Sequence, residues 1–231
     1  MRELLDRNLH RSETDNDNES SKLGPSEVHI RIVDSGLLFA RGTQGRRIEI
    51  SADEILDAIA GSRRVYIEYA VIDDDFDIRK VASRLKQDRS GKWVISGSVQ
   101  IWRSEIREHA SFGKVSFSKD VRFQGTTFRK DANFSSVTFG REANFNAATF
   151  QNVGFSESIF KGDVDFLFTT FKSAFFDGAV FKRFVTFNGT TVKEAAFFNR
   201  TVFERSAYLG NFTDLPPKCF DSIGHAYRGS L

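Results

Sequence analysis

The feature that most constrains this chain is the spacing of its phenylalanines. Between Phe112 and Phe203 an apolar residue recurs in steps of five or six, at 18 positions, and 17 of them are Phe; the exception is Val192. Such a step fits neither the helical period of 3.6 nor the two-residue alternation of a long strand. It fits short strands joined by turns. The central residue and the one two before it point inward, and the residue between them points out. The slot two before the centre is small or β-branched, as at Val115, Thr126, Ala132, Ser158 and Ala196. This second rule sets the register where Phe is doubled: Ala196 selects Phe198 over Phe197. The same steps reach back to Ile95, Ile101 and Ile106.

Four units close one coil of 21 or 22 residues, and stacked coils hydrogen-bond at roughly 4.8 Å. Each central residue then belongs to a face. Face one holds Phe112, Phe134, Phe155, Phe176 and Phe198. Face two holds Phe117, Phe139, Phe160, Phe181 and Phe203. Face three holds Phe123, Phe145, Phe166 and Phe187. Face four holds Phe128, Phe150, Phe171 and Val192. The spacing predicts five to six coils. The extra residue of a six-residue step falls at the corner after face two, at Asp120, Glu142, Asp163 and Phe184.

Stretches such as GKVSFSKDVRFQGTTFRKDANFSSVTF and KGDVDFLFTTF resemble the pentapeptide-repeat family, in its Phe-centred branch with mixed five- and six-residue steps. The resemblance implies an all-β solenoid, a right-handed quadrilateral parallel β-helix. The extra residues at regular corners depart from the family's regular form and point to a less square cross-section. The segment ADEILDAIAGSRRVYIEYAVIDDDFDI is similar to the lead-in of some members, where a helix caps the first coil.

The chain divides into a polar tail, 1–26, expected to be disordered; a small α/β capping region, 27–93; the β-helix, 94–212; and a C-terminal cap or tail, 213–231. Within the capping region VHIRIV alternates, 34–36 reads as a turn, and LLFAR and RRIEI read as further strands. Ser51 with Glu54 forms a capping box. It opens a helix with Ile55, Leu56 and Ile59 on its apolar stripe, ended at Gly61. Strand resumes over 65–78, and 79–92 is a basic, polar insertion with a short helix.

Composition narrows the function classes. Net charge is +2, and from residue 95 onward 17 Lys/Arg face 13 Asp/Glu, which matches neither a polyanion nor a nucleic-acid clamp. Nucleic acid is therefore not an expected partner. The one cysteine, Cys219, rules out an intrachain disulfide. No apolar run approaches the roughly 18 residues of a membrane span, and the charged N-terminus is unlike a signal peptide, so the expected location is cytoplasmic. His10, His29, His109 and His225 stand in no metal-ligand spacing, and no phosphate-binding loop occurs. No catalytic, cofactor or metal residue is assigned, and the chain reads as non-enzymatic with no cofactor. Asp73, Asp74, Asp75 and Asp77 read as a turn between early strands, with a divalent-cation site as the alternative.

The outward residues carry the functional expectations. Face four presents Thr127, Thr149, Thr170 and Thr191, with Arg129, Gln151, Lys172 and Lys193 beside them. This strip reads as a solvated basic edge or as a site for an acidic partner. On face one the outward series ends in Phe175 and Phe197, and on face two in Ile159, Val180 and Val202; Leu167, Phe168 and Phe184 lie nearby off the core register. These predict an apolar patch on the last coils, either a surface for a protein partner or homodimer or one covered by 213–231. The leading expectation is a protein-binding or scaffold module. The alternatives implied by the resemblance are a DNA-mimicking regulator of gyrase or topoisomerase, which the non-acidic repeat region disfavours, and a soluble regulatory relative of membrane-associated members.

Overall fold

The computed structural model describes residues 30–210, the side chain of Ile30 excepted. The tail, 1–26, and the cap, 213–231, lie outside the described residues, as do His10, His29, Cys219 and His225. The described residues form a parallel β-solenoid of about seven turns, walled by sheets of nine, ten and six strands.

Strand pairing follows the repeat coil by coil. Face two is the six-stranded sheet, in which Phe117, Phe139, Phe160, Phe181 and Phe203 stand in register. Face three is the nine-stranded sheet, with Val121, Ala143, Val164, Val185 and Ala207 in register. Faces four and one share the ten-stranded sheet. In its later coils one strand serves both faces without a break, as Thr149–Gly154, Thr170–Phe175 and Thr191–Phe197. That corner is turned by two adjacent outward residues, such as Gln151 and Asn152. The sheet therefore runs unbroken round that corner in those coils.

The corners after faces one and three are tight turns. The amide of the small slot residue donates to the carbonyl of the Phe three before it, as in Ala148 to Phe145 (2.9 Å) and Ser158 to Phe155 (3.1 Å). The residue between adopts positive φ: Ser136, Glu157, Gly178 and Arg200 after face one, and Gly125, Ala147, Phe168 and Gly189 after face three. This is the geometry of a type II turn, which favours glycine at that place. The non-glycine occupants sit in a disfavoured region held by the ladders on either side.

The core is the Phe array. All 17 ladder phenylalanines are buried. Rings of one face lie nearly parallel, as for Phe139 and Phe160 (4.7 Å, 3°) and Phe160 and Phe181 (4.6 Å, 2°). Rings of different faces meet edge-on, as for Phe134 and Phe145 (5.8 Å, 70°). The slot residues are buried too, and their hydroxyls are satisfied. Thr126, Ser158, Thr169, Thr190 and Thr201 each donate to the carbonyl of a central residue on the preceding coil, at 2.6–2.8 Å.

The parallel ladder starts at Leu37, inside the region 27–93. Leu37–Arg41 pairs with Arg64–Glu68, which pairs with Val99–Trp102. Ile67 and Ile72 lie over Ile101 and Ile106. Isoleucine thus fills the central slot in these coils. The helix α1, Ala52–Ala60, follows the strand Ile48–Glu49 and occupies the path of faces one and two in the first coil. Its Ile55, Leu56 and Ile59 are buried over the end of the aromatic column, where Phe76 meets Phe112 at 4.9 Å. Ser51 caps α1 by accepting from the Glu54 amide (3.2 Å), while the Glu54 carboxylate bonds Arg31. Residues 79–92 bulge out between faces one and two, beginning with a 3₁₀ helix over Ile78–Arg84. The strand Ile30–Val33 pairs antiparallel with Leu37–Arg41 and closes the N-terminal edge of face three.

Phe145 is fully buried, with six rings around it. Phe145→Ala is expected to cost about 3–5 kcal/mol through lost burial and the cavity left behind, read as a lower midpoint in chemical denaturation. Gly189→Ala at the corner is expected to destabilise as well, because a Cβ there would meet the Phe168 ring and because φ is +66°.

Candidate partner surface

The continuous strands across faces four and one bring two of the candidate groups onto one wall. Thr127, Thr149, Thr170 and Thr191 stand in register, with Thr127 over Glu105 on the preceding coil. Further along the same strands come Gln151, Lys172 and Lys193, and then the column Asn133, Gly154, Phe175 and Phe197. Phe175 and Phe197 are half-buried and stacked at 5.2 Å and 10°, outside the filled bore. Because Gly154 has no side chain, a hollow of about 310 Å³ opens beside Phe175, lined also by Asp131, Asn133, Asn152 and Ser156.

Face two is a separate wall. Ile159, Val180 and Val202 form a half-buried column there. The tight corner through Asp177 and Gly178 separates it from Phe175 and Phe197, so the five residues do not form one plane. Phe168 and Phe184 are 61% and 45% exposed on the two corners that flank face three, and Leu167 is half-buried.

The strip on face four is less basic than its sequence. Arg129 bonds Glu105 at 3.0 Å, Lys172 lies 3.6 Å from Glu194, and Ser173 donates to the same Glu194 (3.3 Å). Glu194 occupies a bulge in Thr191–Phe197, where the register shifts by one residue.

Asp73, Asp74 and Asp75 lie between the strands Ala70–Ile72 and Phe76–Asp77, as expected of a turn, and Asp77 ends the second strand. Asp73 accepts from Arg107 (2.9 Å), Asp74 from the Ala52 amide (2.8 Å) and Asp77 from Arg79. Among the described residues no group of three or more His, Cys, Asp and Glu could hold a metal ion. Among them, too, no helix is long and apolar enough to cross a membrane.

Pattern reasoning missed the charged corner at the N-terminal end. Glu105 receives Arg129 (3.0 Å), Arg107 (3.2 Å) and Arg47 (3.6 Å). The hydrogen bond from Arg129, aided by that from Arg107, holds the Glu105 carboxyl below its ordinary value against the opposing effect of partial burial. Glu68, 4% exposed, sits between Arg41 and Arg103, each at 3.1 Å. The available signal was an offset of about one coil between oppositely charged residues, as from Glu105 to Arg129.

A parallel β-solenoid with four five- or six-residue units per coil and a Phe at the unit centre is the architecture of pentapeptide repeats. The family model described as pentapeptide repeats (9 copies) matches residues 123–170, so the middle coils of the solenoid are pentapeptide repeats. No curated protein and no solved structure matches the chain.

Because Glu105 is held deprotonated in the fold, its network stabilises the protein above the ordinary carboxylate range, near pH 4. That contribution is lost as pH falls through the lowered folded value. Glu105→Gln should lower the midpoint of thermal unfolding at neutral pH and narrow the gap to wild type as the pH drops toward 3. A gap independent of pH would exclude this origin.

Proposed function

We propose that this protein is a non-enzymatic protein-binding module that docks a partner on the wall shared by faces four and one in its C-terminal coils. The observation that carries this reading is the Phe175–Phe197 stack. The bore is already filled by Phe155, Phe176 and Phe198, each at most 3% exposed, so a second pair of stacked rings outside it adds little that the core lacks. A half-buried aromatic pair beside Thr170, Thr191, Lys172 and Lys193 matches the apolar centre and polar rim of protein interfaces. Its strands run unbroken through the bend between the two faces, which puts the aromatic pair and the threonine column on one sheet. The columns before it on the same face are polar, Ser111 and Asn133, so the aromatic pair is confined to the later coils.

The test is site-specific photocrosslinking in the native host. A photoreactive residue at position 193 should capture a defined protein, and one at position 144 on face three should not. Phe175→Ser with Phe197→Ser should abolish that capture while costing about 1–2 kcal/mol of stability, the scale of losing half-buried rings. Capture that persists in the double variant, or that is equal at positions 193 and 144, would remove this wall as the docking surface.

A further inference from the structure

At the corner between faces three and four, on the N-terminal coils, the ion pairing departs from the rest of the solenoid. Among the described residues of the later coils acid and base form pairs such as Lys182–Glu204 (3.2 Å) and Arg122–Glu142 (3.4 Å). Here Glu68 holds Arg41 and Arg103, Glu105 holds Arg47, Arg107 and Arg129, and Arg107 also reaches Asp73 (2.9 Å). Five guanidiniums share three carboxylates. The two groups adjoin: Glu68 registers with Trp102, which is followed by Arg103 and then Glu105 on the same coil.

The layering is the informative part. The side chains of Glu68 and Glu105 are 5% and 15% exposed, whereas those of Arg103, Arg107 and Arg129 are 58%, 49% and 59% exposed. These two carboxylates lie beneath the guanidiniums, while Asp73, 51% exposed, stands at the surface beside Arg107. Each guanidinium has five N–H donors in a planar fork, so donors remain after the buried acids are satisfied. Arg103 is further held by the Tyr69 hydroxyl (3.0 Å) and lies over the Tyr69 ring (5.5 Å). Arginines fixed in this way lose little freedom on meeting a ligand. Beside them on face three, half-buried Tyr66 stacks on Phe39 (5.0 Å, 7°) and meets Trp102 (5.2 Å). Arginine with tyrosine and tryptophan is the composition of interface hot spots. One further carboxylate, exposed Glu49, stands in the Glu105 column, separated from it by Val71. An ion-pair latch alone would need one arginine per buried carboxylate.

We propose that this arginine corner is a second docking site, independent of the wall on the C-terminal coils, and that it takes a carboxylate-rich segment of a protein partner. Bidentate guanidinium forks match carboxylates in geometry as well as charge, and the adjacent aromatic rings offer apolar contact to a peptide. A nucleic-acid backbone is the poorer fit, because its affinity grows with the number of phosphates neutralised and the local excess of positive charge is small.

Fluorescence anisotropy of the full chain with a labelled poly-glutamate peptide at low salt tests this directly, with a poly-lysine peptide and a short single-stranded oligonucleotide as comparison probes. Poly-glutamate should bind and weaken with added salt. Arg103→Gln with Arg129→Gln should weaken it by about tenfold or more, since two charge-assisted forks are lost. Lys182→Gln, which breaks a single pair elsewhere, should leave it unchanged. If the double variant fails to fold by circular dichroism, Arg107→Gln alone, which leaves Glu105 with two arginines, should still weaken binding severalfold. The proposal is overturned by no poly-glutamate binding at low salt, by equal binding to the arginine variants, or by tighter binding of the oligonucleotide than of the peptide.

Discussion

Aromatic rings fill the bore of this solenoid through two kinds of contact at once. Along the axis, a ring such as Phe145 lies nearly parallel to Phe123 (6.0 Å) and Phe166 (5.1 Å) on its own face. Across the bore it meets Phe139 and Phe155 near edge-on, at 6.0 and 5.4 Å. Aromatic faces are electron-rich and edges electron-poor, so edge-on contact between walls and offset stacking within a wall are both favourable. The rings fix the distance between walls. That distance explains the two- or three-residue strands, the small slot before each ring and the near-constant coil length. A larger residue at Ala143 or Ala148 would take the space the rings need, and both are fully buried.

The corners must then turn the chain without leaving buried polar groups unpaired. The fold uses different solutions at different corners. After faces one and three a tight turn closes on the slot amide, and where the slot is Ser or Thr the hydroxyl ties it to the coil before. After face four no tight turn is made in the later coils, and strand pairing runs through the bend. This second solution keeps an unbroken sheet on the outside, and it is the sheet that carries Phe175 and Phe197.

The sequence makes the core legible because one residue type repeats in one slot. The register of every face from Phe112 onward follows from Phe and its small predecessor, including the choice of Phe198 over Phe197. The first coils are harder to read, since Ile67 and Ile72 replace Phe and the insertion 79–92 interrupts the step. The joining of faces four and one is invisible in the spacing, because a step of five or six residues serves a tight turn and an unbroken strand alike. Positive φ at Ser136, Ala147 and Phe168 is also hidden, as side chains there give no glycine signal. The strip on face four looked more basic in sequence than it is, because Glu194 and Glu105 reach Lys172 and Arg129 from neighbouring coils.

A core that repeats from coil to coil cannot by itself distinguish one partner from another, because every rung presents nearly the same contacts. Specificity has to come from outer positions that change along the axis. Two such breaks stand out: the column that goes from Asn133 through Gly154 to Phe175 and Phe197, and the arginine corner over Glu68 and Glu105. They differ in chemistry, one aromatic and the other cationic. Both adjoin face four, whose column runs in register from Glu105 through Thr127 and Thr149 to Thr170, at the start of the strand that ends in Phe175. Three rungs at roughly 4.8 Å place the two surfaces about 14 Å apart along the axis. The packed ring array resists compression and bending between them. In this way the feature that makes the core uninformative about function also makes it a rigid spacer, which would hold the two proposed docking surfaces at a fixed separation.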